Sequence, residues 1–296
     1  MEMSQNVVSV DGCHMKHPRY TGQLLLVTGR DGDMKNFTVA WALALAENED
    51  NYTFLFEAMK ENEGVKGWMD RMQTVIISDR CKGLGNAIRS CFKNATPVHC
   101  GRHLYMNVKA LGGAPPKRGA TRIEKLVPEA TCLIWKLIKA PAKIEYDAAM
   151  DQLRIVNRGA RQFCPLTLSS NLVAKILFDT VFRDNCRTSA FPPLLVLPSG
   201  AAEYLERACP ERWALHLLHG AGHVLQGHST SNFGESENAR LLRPARYLAP
   251  FDFIQQMVRT DMATRCERKL EAEAWAKKGL KISPKGSEVY QEQVKC

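Results

Sequence analysis

The sequence predicts an α/β fold in which helices pack on a mixed sheet. Two features of residues 1–110 predict this class. Three strand-like runs come first, and the Asp31-Gly32 pair between the second and third is a strong hairpin-turn signal. Helical and strand-like runs then alternate, which indicates βα units added to the hairpin meander.

Five runs rich in apolar and β-branched residues are the predicted strands. The run "TVIIS" has apolar residues in succession, as expected of a strand buried on both faces. The predicted strands are Asn6–Val10, Gln23–Thr28, Phe37–Trp41, Thr74–Ser78 and Thr96–Val98.

Three helices are predicted in the same region from the spacing of apolar residues. The first lies in "ENEDNYTFLFEAMKE", where Asp50 or Asn51 can serve as the N-cap. Its predicted buried face is Phe54, Leu55, Ala58 and Met59. The others are Lys82–Cys91 and Arg102–Leu111. The Gly- and Pro-rich stretch "LGGAPPKRGA" then marks a boundary, and residues 121–159 have helical character.

The composition is that of a globular protein, with 45% hydrophobic and 24% charged residues among 296. No apolar run is long enough to span a bilayer and no secretory signal is visible, so we expect an intracellular protein without a membrane segment. The ten cysteines include no Cys-x-x-Cys pair and are expected to be mostly reduced thiols.

The net charge of +9 is concentrated in one part of the chain. Residues 111–162 carry 10 Lys/Arg against 5 Asp/Glu, whereas residues 1–110 carry 13 against 12. Such a basic insert indicates either a polyanion partner or an ordinary solvated helical surface. If the partner is DNA, its phosphates are expected to contact a set of basic side chains in this insert. They are Lys117, Arg118, Arg122 and Lys125.

Asp11 and Asp79 each follow a predicted strand, so neighbouring strands would place both carboxylates at one end of the sheet. Two close carboxylates repel each other unless they share a proton or a cation. Oxygen ligands of this kind suit Mg²⁺ or Mn²⁺, and two such ions can promote phosphodiester displacement. The alternative is that each Asp is a turn residue or a helix cap.

A third carboxylate is available in "STSNFGESENARLL", where Glu235 begins a helical segment. Glu237 points about 200° away from Glu235 on an ideal helix. Only one of the two can therefore face a site shared with the aspartates.

A second metal-binding pattern is the Cys-x-x-His of Cys100 and His103, which share one face of a helix. His216-x-x-His219 offers a second half-site for Zn²⁺. The alternative is a packed cysteine beside a histidine that caps a helix.

Four motifs resemble, in order and spacing, those of Mutator-like element (MULE) transposases: "VDGCHMK", "IISDRCKGL", "HCGRHLYMN" and "TSNFGESEN". The resemblance covers residues 6–160 and 201–262. It implies an RNase H-like core with a five-stranded mixed sheet, interrupted by a large all-α insertion. It also implies a catalytic triad of Asp11, Asp79 and Glu235 that holds Mg²⁺ or Mn²⁺.

On this pattern the chain divides into four parts. The core would begin with residues 1–110 and close with residues 225–262, on either side of a helical insertion at residues 111–224. Residues 263–296 would form a truncated C-terminal extension. Residues 161–200 interrupt the family pattern, and we expect either a poorly integrated extra insertion or a genuine additional helix pair.

The resemblance implies cleavage and transfer of DNA strands at transposon ends, by a nuclear enzyme that acts as a homo-oligomer on double-stranded DNA. The family's N-terminal DNA-recognition domain and C-terminal zinc finger are not seen in this sequence, and Pro244 interrupts the helix predicted from Glu235. One alternative is a domesticated derivative that binds DNA and regulates transcription without catalysis. Another is a ribonuclease-type hydrolase, which the Cys-x-x-His pair and the helical insertion disfavour.

Overall fold

The structure is a computed structural model that describes residues 5–111, 128–162 and 201–294. All five described strands lie in residues 5–111, where helices alternate with them as the sequence predicts. The strands are β1 (Val7–His14), β2 (Gln23–Arg30), β3 (Asn36–Ala44), β4 (Val75–Ser78) and β5 (Thr96–His99).

The helices fall into a group among the strands and a group that follows them. The first group is α1 (Glu49–Lys60), α2 (Glu63–Met69), α3 (Lys82–Cys91) and α4 (Gly101–Leu111). The second group is α5 (Pro128–Lys139), α6 (Lys143–Gln162), α7 (Ala201–Arg207), α8 (Leu215–Gly220), α9 (Asn232–Ala245), α10 (Pro250–Lys277) and α11 (Pro284–Val294). None of the described helices combines the length and the apolar character needed to cross a membrane.

The strands form one mixed sheet in the order β3-β2-β1-β4-β5. The pairs β1–β2 and β2–β3 are antiparallel, whereas β1–β4 and β4–β5 are parallel. Strand β1 is central because it belongs to both the meander and the parallel part. The predicted α/β class with a mixed five-stranded sheet and flanking helices is therefore confirmed.

Strand β1 is longer than predicted, and Asp11 lies inside it rather than at its end. The antiparallel neighbour β2 extends the pairing of β1 as far as His14. The parallel neighbour β4 stops earlier, where Ser78 pairs with Val10. Asp11 and Asp79 therefore each follow the last parallel pair, at the same end of these two strands.

Helices α1, α2 and α3 cover one face of the sheet. Alternate side chains of β1 and β2 point to this face, because successive residues of a strand point to opposite sides. They meet fully buried aromatic side chains of the helices, which close an apolar core. The principal members of this core are Val8, Val10, Leu25, Val27, Tyr52, Phe56, Trp68, Ile76, Leu84, Ile88 and Phe92.

Helix α1 buries two of the four predicted residues, Leu55 and Met59, but not Phe54 or Ala58. Its N-cap is Asn48, whose side chain accepts a hydrogen bond from the N–H of Asn51 at 2.9 Å. Tyr52 and Phe56 are buried together with Leu55 and Met59, whereas Phe54 is 70% exposed. The helix has two possible apolar faces, one with Phe54 and one with Tyr52 and Phe56. The face with Tyr52 and Phe56 packs on the sheet, because it buries the larger aromatic area.

The opposite face of the sheet is covered by helices of the second group. Leu24 and Leu26 of β2 pack there against Leu241 of α9 and Phe253 of α10. A neighbouring cluster is formed by side chains of β1, β4 and β5 with α8 and the start of α9. Its members include Val7, Val75, Ile77, Val98, Cys100, Leu218, Leu225 and Phe233. Both faces of β2 and β4 are therefore buried, as their apolar sequences predict.

The chain divides into two compact units. The first contains the sheet and spans residues 1–104, 138–141 and 209–296. The second spans residues 105–137 and 142–208 and is helical in its described residues. In the second unit, α6 and α7 are joined by an ion pair in which Nη2 of Arg154 lies 2.7 Å from Oε1 of Glu206.

The compact units do not have the boundaries that were drawn on the sequence. Residues 209–224 belong with the sheet, because Leu218 is buried in the cluster that contains Val75 and Ile77. Helix α10 runs across residue 262 without a break. Pro244 is tolerated in the last turn of α9, because the helix ends one residue later and only one backbone N–H is lost there.

Two predictions lie outside the described residues. One is the set of DNA contacts, Lys117, Arg118, Arg122 and Lys125. The other is the poorly integrated segment 161–200, of which only the first two residues are described, as the end of α6.

Gly234→Ala is expected to destabilise the fold, because a Cβ at Gly234 would overlap with the Ser9 side chain where α9 crosses β1. Overpacking of this kind typically lowers the free energy of unfolding by about 1–3 kcal/mol. Urea denaturation of the two proteins measures the difference. Gly67→Ala is the matched control, because a Cβ there has no neighbour within 4 Å and alanine favours helix by about 1 kcal/mol. Equal effects of the two substitutions would contradict a close approach at Gly234.

Candidate active site

Asp11 is brought to helix α9 by the alternation of side chains along β1. Ser9, two residues earlier, points to the same face and lies under Gly234 at the start of α9. One turn further along that helix, Nδ2 of Asn238 donates a hydrogen bond of 2.9 Å to Oδ2 of Asp11. The helix thereby fixes the orientation of the carboxylate.

Asp79 occupies the turn between β4 and α3. Its Oδ1 accepts a hydrogen bond from the N–H of Cys81 at 2.9 Å. Asp79 therefore acts as a turn residue, which the sequence analysis gave as the alternative to a metal ligand. Its negative charge also raises the pKa of Asp11, so the two carboxylates interact electrostatically. Asp79 therefore both stabilises the turn and adds a negative charge near Asp11.

Glu235 lies in the first turn of α9 and faces the same site. Its Oε2 lies 3.0 Å from Nη1 of Arg102, and its charge also raises the pKa of Asp11. Glu237 points away, as the helical spacing predicts. It is 2% exposed, and the hydrogen bond that it accepts from Thr38 ties α9 to β3. It also accepts a hydrogen bond from Arg240 of the same helix.

Glu47 adds a fourth carboxylate to this end of the sheet. It follows β3, and a Cβ at Gly12 would overlap with its side chain, so the carboxylate lies against the backbone next to Asp11. Burial, followed by the charges of Asp79 and Asp11, raises the pKa of Glu47. The sequence offered no periodic signal for Glu47, because it stands in an irregular segment between strand and helix.

The clustered carboxylates perturb one another most strongly at Asp11. Burial raises the pKa of Asp11 to about 6, and the charges of Glu235 and Asp79 add to the increase. The positive charge of His103 acts in the opposite direction. A carboxyl group with a raised pKa in such surroundings marks a candidate functional site.

Cys100, just before α4, contacts Ser231, just before α9, and also interacts with His103 of α4. Both the N–H and the hydroxyl of Ser231 donate to the sulfur of Cys100, at 3.2 and 3.1 Å. Burial alone would raise the pKa of the Cys100 thiol, but the interactions with His103 and Ser231 lower it overall. The contact with Cys100, reinforced by Asp11 and Asp79, raises the pKa of His103 to about 9.

The two histidines predicted as zinc partners lie on α8. Leu218 of this helix shares an apolar cluster with Cys100. Across residues 5–111, 128–162 and 201–294, however, no three His, Cys, Asp or Glu side chains are grouped so as to hold a metal ion. Zinc binding by Cys100, His103, His216 and His219 therefore stays a prediction.

The acidic residues carry the oxygen donors that a hard divalent cation takes, but the described residues do not group three of them so as to hold one. Asp11, Asp79 and Glu235 offer oxygen ligands, and the electrostatic repulsion among them is what a bound cation relieves. In the described residues the carboxylates are instead held by Asn238 and Arg102. Cation binding would require these side chains to exchange partners by changes of rotamer.

Several residues of the site were not found from the sequence. Asn238 carried a usable signal, since it lies three positions after Glu235 and therefore on the same helix face. Arg102 and Ser231 carried none, because their roles depend on contacts between α4 and the segment before α9.

Comparison with known proteins finds a similarity to transposases in one part of the chain. The family model described as the MULE transposase domain matches residues 7–107. The resemblance seen in the sequence motifs is thereby confirmed over residues 7–107, which are similar to this domain. It contains Asp11, Asp79 and the Cys-x-x-His pair, whereas Glu235 lies beyond the match. No curated protein matches the chain.

Asp11→Asn is expected to stabilise the metal-free protein at neutral pH. In the folded state the Asp11 carboxyl group has a pKa of about 6, above its unfolded value of 3.8, so ionisation penalises folding. A shift of this size corresponds to about 2–3 kcal/mol. The advantage of Asn should be small below the unfolded pKa, grow as pH rises to about 6, and stay constant above it.

Urea denaturation in EDTA at pH 5.0, 6.0 and 7.5 measures this dependence. Asp50→Asn, at an exposed position in the first turn of α1, is the control and should show no comparable gain. A gain at Asp11→Asn that does not change with pH would mean that Asp11 titrates normally.

Cys100→Ala should weaken the junction between α4 and α9, because it leaves the buried N–H and hydroxyl of Ser231 without their acceptor. We expect the free energy of unfolding to fall by about 1–3 kcal/mol. The pKa of His103, followed by NMR, should fall from about 9 toward its ordinary range. Cys100→Ser keeps an acceptor and should lose less, and Cys266→Ser, an exposed position, should change neither quantity. If EDTA destabilises the unmodified protein as strongly as Cys100→Ala does, a metal holds this junction instead.

Proposed function

We propose that the chain is the catalytic part of a DNA transposase that cleaves and joins DNA strands with a divalent metal ion. The observation that supports the proposal is that the charges of Asp79 and Glu235 both act on the carboxyl group of Asp11, within a chain whose residues 7–107 match the MULE transposase domain. The strand order, with an antiparallel meander followed by parallel strands, supports an RNase H-like core.

The three carboxylates would have distinct structural supports. Asp11 and Asp79 are presented by the adjacent ends of the β1–β4 pair, and Glu235 by the first turn of α9. Asn238 orients Asp11 through its side-chain amide. Bound Mg²⁺ or Mn²⁺ would supply Lewis-acid chemistry, polarising the scissile phosphate and balancing the charge that develops on it.

In the cleavage step, an oxygen of water forms a bond to phosphorus and the bond from phosphorus to O3′ breaks. The attacking water gives up one proton and O3′ takes up one, which leaves a 5′-phosphate and a 3′-hydroxyl. When strands are joined, this 3′-hydroxyl loses its proton and bonds to a phosphorus of the target strand, and the bond from that phosphorus to its own O3′ breaks and leaves a new 3′-hydroxyl. His103 is protonated at neutral pH and lies close enough to lower the pKa of Asp11. Its charge would reduce the repulsion between the acidic site and the DNA phosphates.

The second candidate is a domesticated derivative that binds DNA without cutting it. The contact that favours it is the ion pair of Glu235 with Arg102, which occupies the third carboxylate. A transposase would be expected to work in the nucleus, as a homo-oligomer on double-stranded transposon ends. A derivative that regulates transcription would also be expected in the nucleus.

The two candidates are separated by incubating the full chain with supercoiled and linear duplex DNA in Mg²⁺ or Mn²⁺. We expect nicking that EDTA abolishes, and a loss of at least about 100-fold in rate for Asp11→Asn, Asp79→Asn or Glu235→Gln, because each removes a charge that binds the metal. DNA binding by these variants should be retained. Glu237→Gln, two residues from Glu235, should lower stability but keep the rate per folded molecule. Metal-independent binding with no nicking under any condition would favour the derivative.

A further inference from the structure

A cleft of about 450 Å³ opens beside the candidate active site. Asp11 and Glu235 line one part of it, while Lys16, Arg246 and Tyr247 line another. Its volume is within the range of about 300–1,000 Å³ that is usual for ligand pockets. The cleft therefore combines the acidic groups of the proposed chemistry with two cations and an aromatic ring.

A reciprocal pair of hydrogen bonds joins the segment after β1 to the end of α9 beside the cleft. The N–H of Lys16, after β1, donates to the carbonyl of Arg246 at 2.9 Å. Nε of Arg246, after α9, donates to the carbonyl of His14 at 2.6 Å. The backbone of Lys16 and the guanidinium of Arg246 are thus fixed beside the cleft.

Both side chains keep their charge available for a ligand. Nearby arginines of the same unit are committed to carboxylates: Arg102 to Glu235 and Arg240 to Glu237. Among the described residues, neither Lys16 nor Arg246 forms such an ion pair. The guanidinium of Arg246 uses only Nε in its hydrogen bond to His14, so its two terminal nitrogens can still donate.

Tyr247 presents its ring to solvent at the same place. It is 60% exposed, and Nζ of Lys16 lies 5.9 Å from the ring centroid. Exposed aromatic rings next to basic side chains are the means by which proteins bind unpaired nucleotides, because every base can stack on such a ring. A base inside a duplex is already stacked on both sides and cannot use it.

We propose that this cleft binds an unpaired nucleotide next to the phosphate at which the strand is cut. Lys16 and Arg246 contact a phosphate of the DNA strand, and the ring of Tyr247 stacks on the base. This inference rests on the proposed function, because it assigns part of the substrate to a cleft that Asp11 and Glu235 also line. The ligand is a short single-stranded segment continuous with a duplex.

The test compares two fluorescein-labelled oligonucleotides: a blunt duplex and the same duplex with a three-nucleotide single-stranded extension. Binding to the full chain is measured by fluorescence anisotropy in Ca²⁺, which takes oxygen ligands as Mg²⁺ does. We expect tighter binding of the extended duplex. Tyr247→Ala should weaken that binding by roughly 5- to 100-fold and remove the preference, whereas Tyr247→Phe should keep it.

The phosphate contact has its own measurement. Lys16→Ala should lower the slope of log affinity against log salt by about one unit on the extended duplex. It leaves the backbone N–H of residue 16 in place, so the hydrogen bond to Arg246 is retained. Lys66→Ala, a surface lysine paired with Glu63 on α2, is the control and should leave the slope unchanged.

The outcomes separate this inference from the function on which it rests. If the unmodified chain binds both duplexes equally, or if Tyr247→Ala and Lys16→Ala bind as it does, the cleft does not hold a nucleotide, although the transposase function can stand. If the unmodified chain binds neither duplex, both proposals fail. A preference that disappears with Tyr247→Ala and persists with Tyr247→Phe supports the assignment.

Discussion

The docking of helix α9 on strand β1 is the contact on which the candidate site depends. Gly234 allows the helix backbone to approach Ser9, and the sulfur of Cys100 accepts two hydrogen bonds from Ser231 just before the helix begins. Because these contacts are short and directional, they fix the rotation and the height of α9 over the sheet. Glu235 and Asn238 reach the neighbourhood of Asp11 only in that position.

The same docking of α9 brings the negative charge of Glu235 near Asp11 and Asp79, and these charges repel one another. Carboxylates from four separate segments act on one another near the point where the β1–β4 pair ends, and burial makes their repulsion more costly. The protein offsets part of this with two cations of α4, His103 near the aspartates and Arg102 on Glu235. Both cations come from the motif "HCGRHLYMN", so the segment that holds α9 in place also supplies the balancing charge.

Much of the fold follows from local patterns in the sequence. Apolar runs such as "TVIIS" predicted the buried strands, and the Asp31-Gly32 turn predicted the hairpin, because strand periodicity and turn chemistry act over a few residues. The candidate residues Asp11, Asp79 and Glu235 were also found from the sequence, through motif order and helical spacing. Helix α3 was predicted with its observed bounds, since its Leu84, Ala87, Ile88 and Cys91 form one clear stripe.

Other features were decided only by tertiary structure. Helix α1 carries two apolar stripes, and contact with the sheet selected the one with Tyr52 and Phe56, which spacing alone does not distinguish. Glu47 joined the acidic site through a turn after β3, and no periodicity specifies where such a turn leads. The sequence by itself indicated the strands and helices of residues 1–110 and the candidate carboxylates Asp11, Asp79 and Glu235, because those patterns depend on neighbours in the chain. The use of Cys100 as an acceptor for Ser231 depends on residues 131 positions apart, and only folding brings them together.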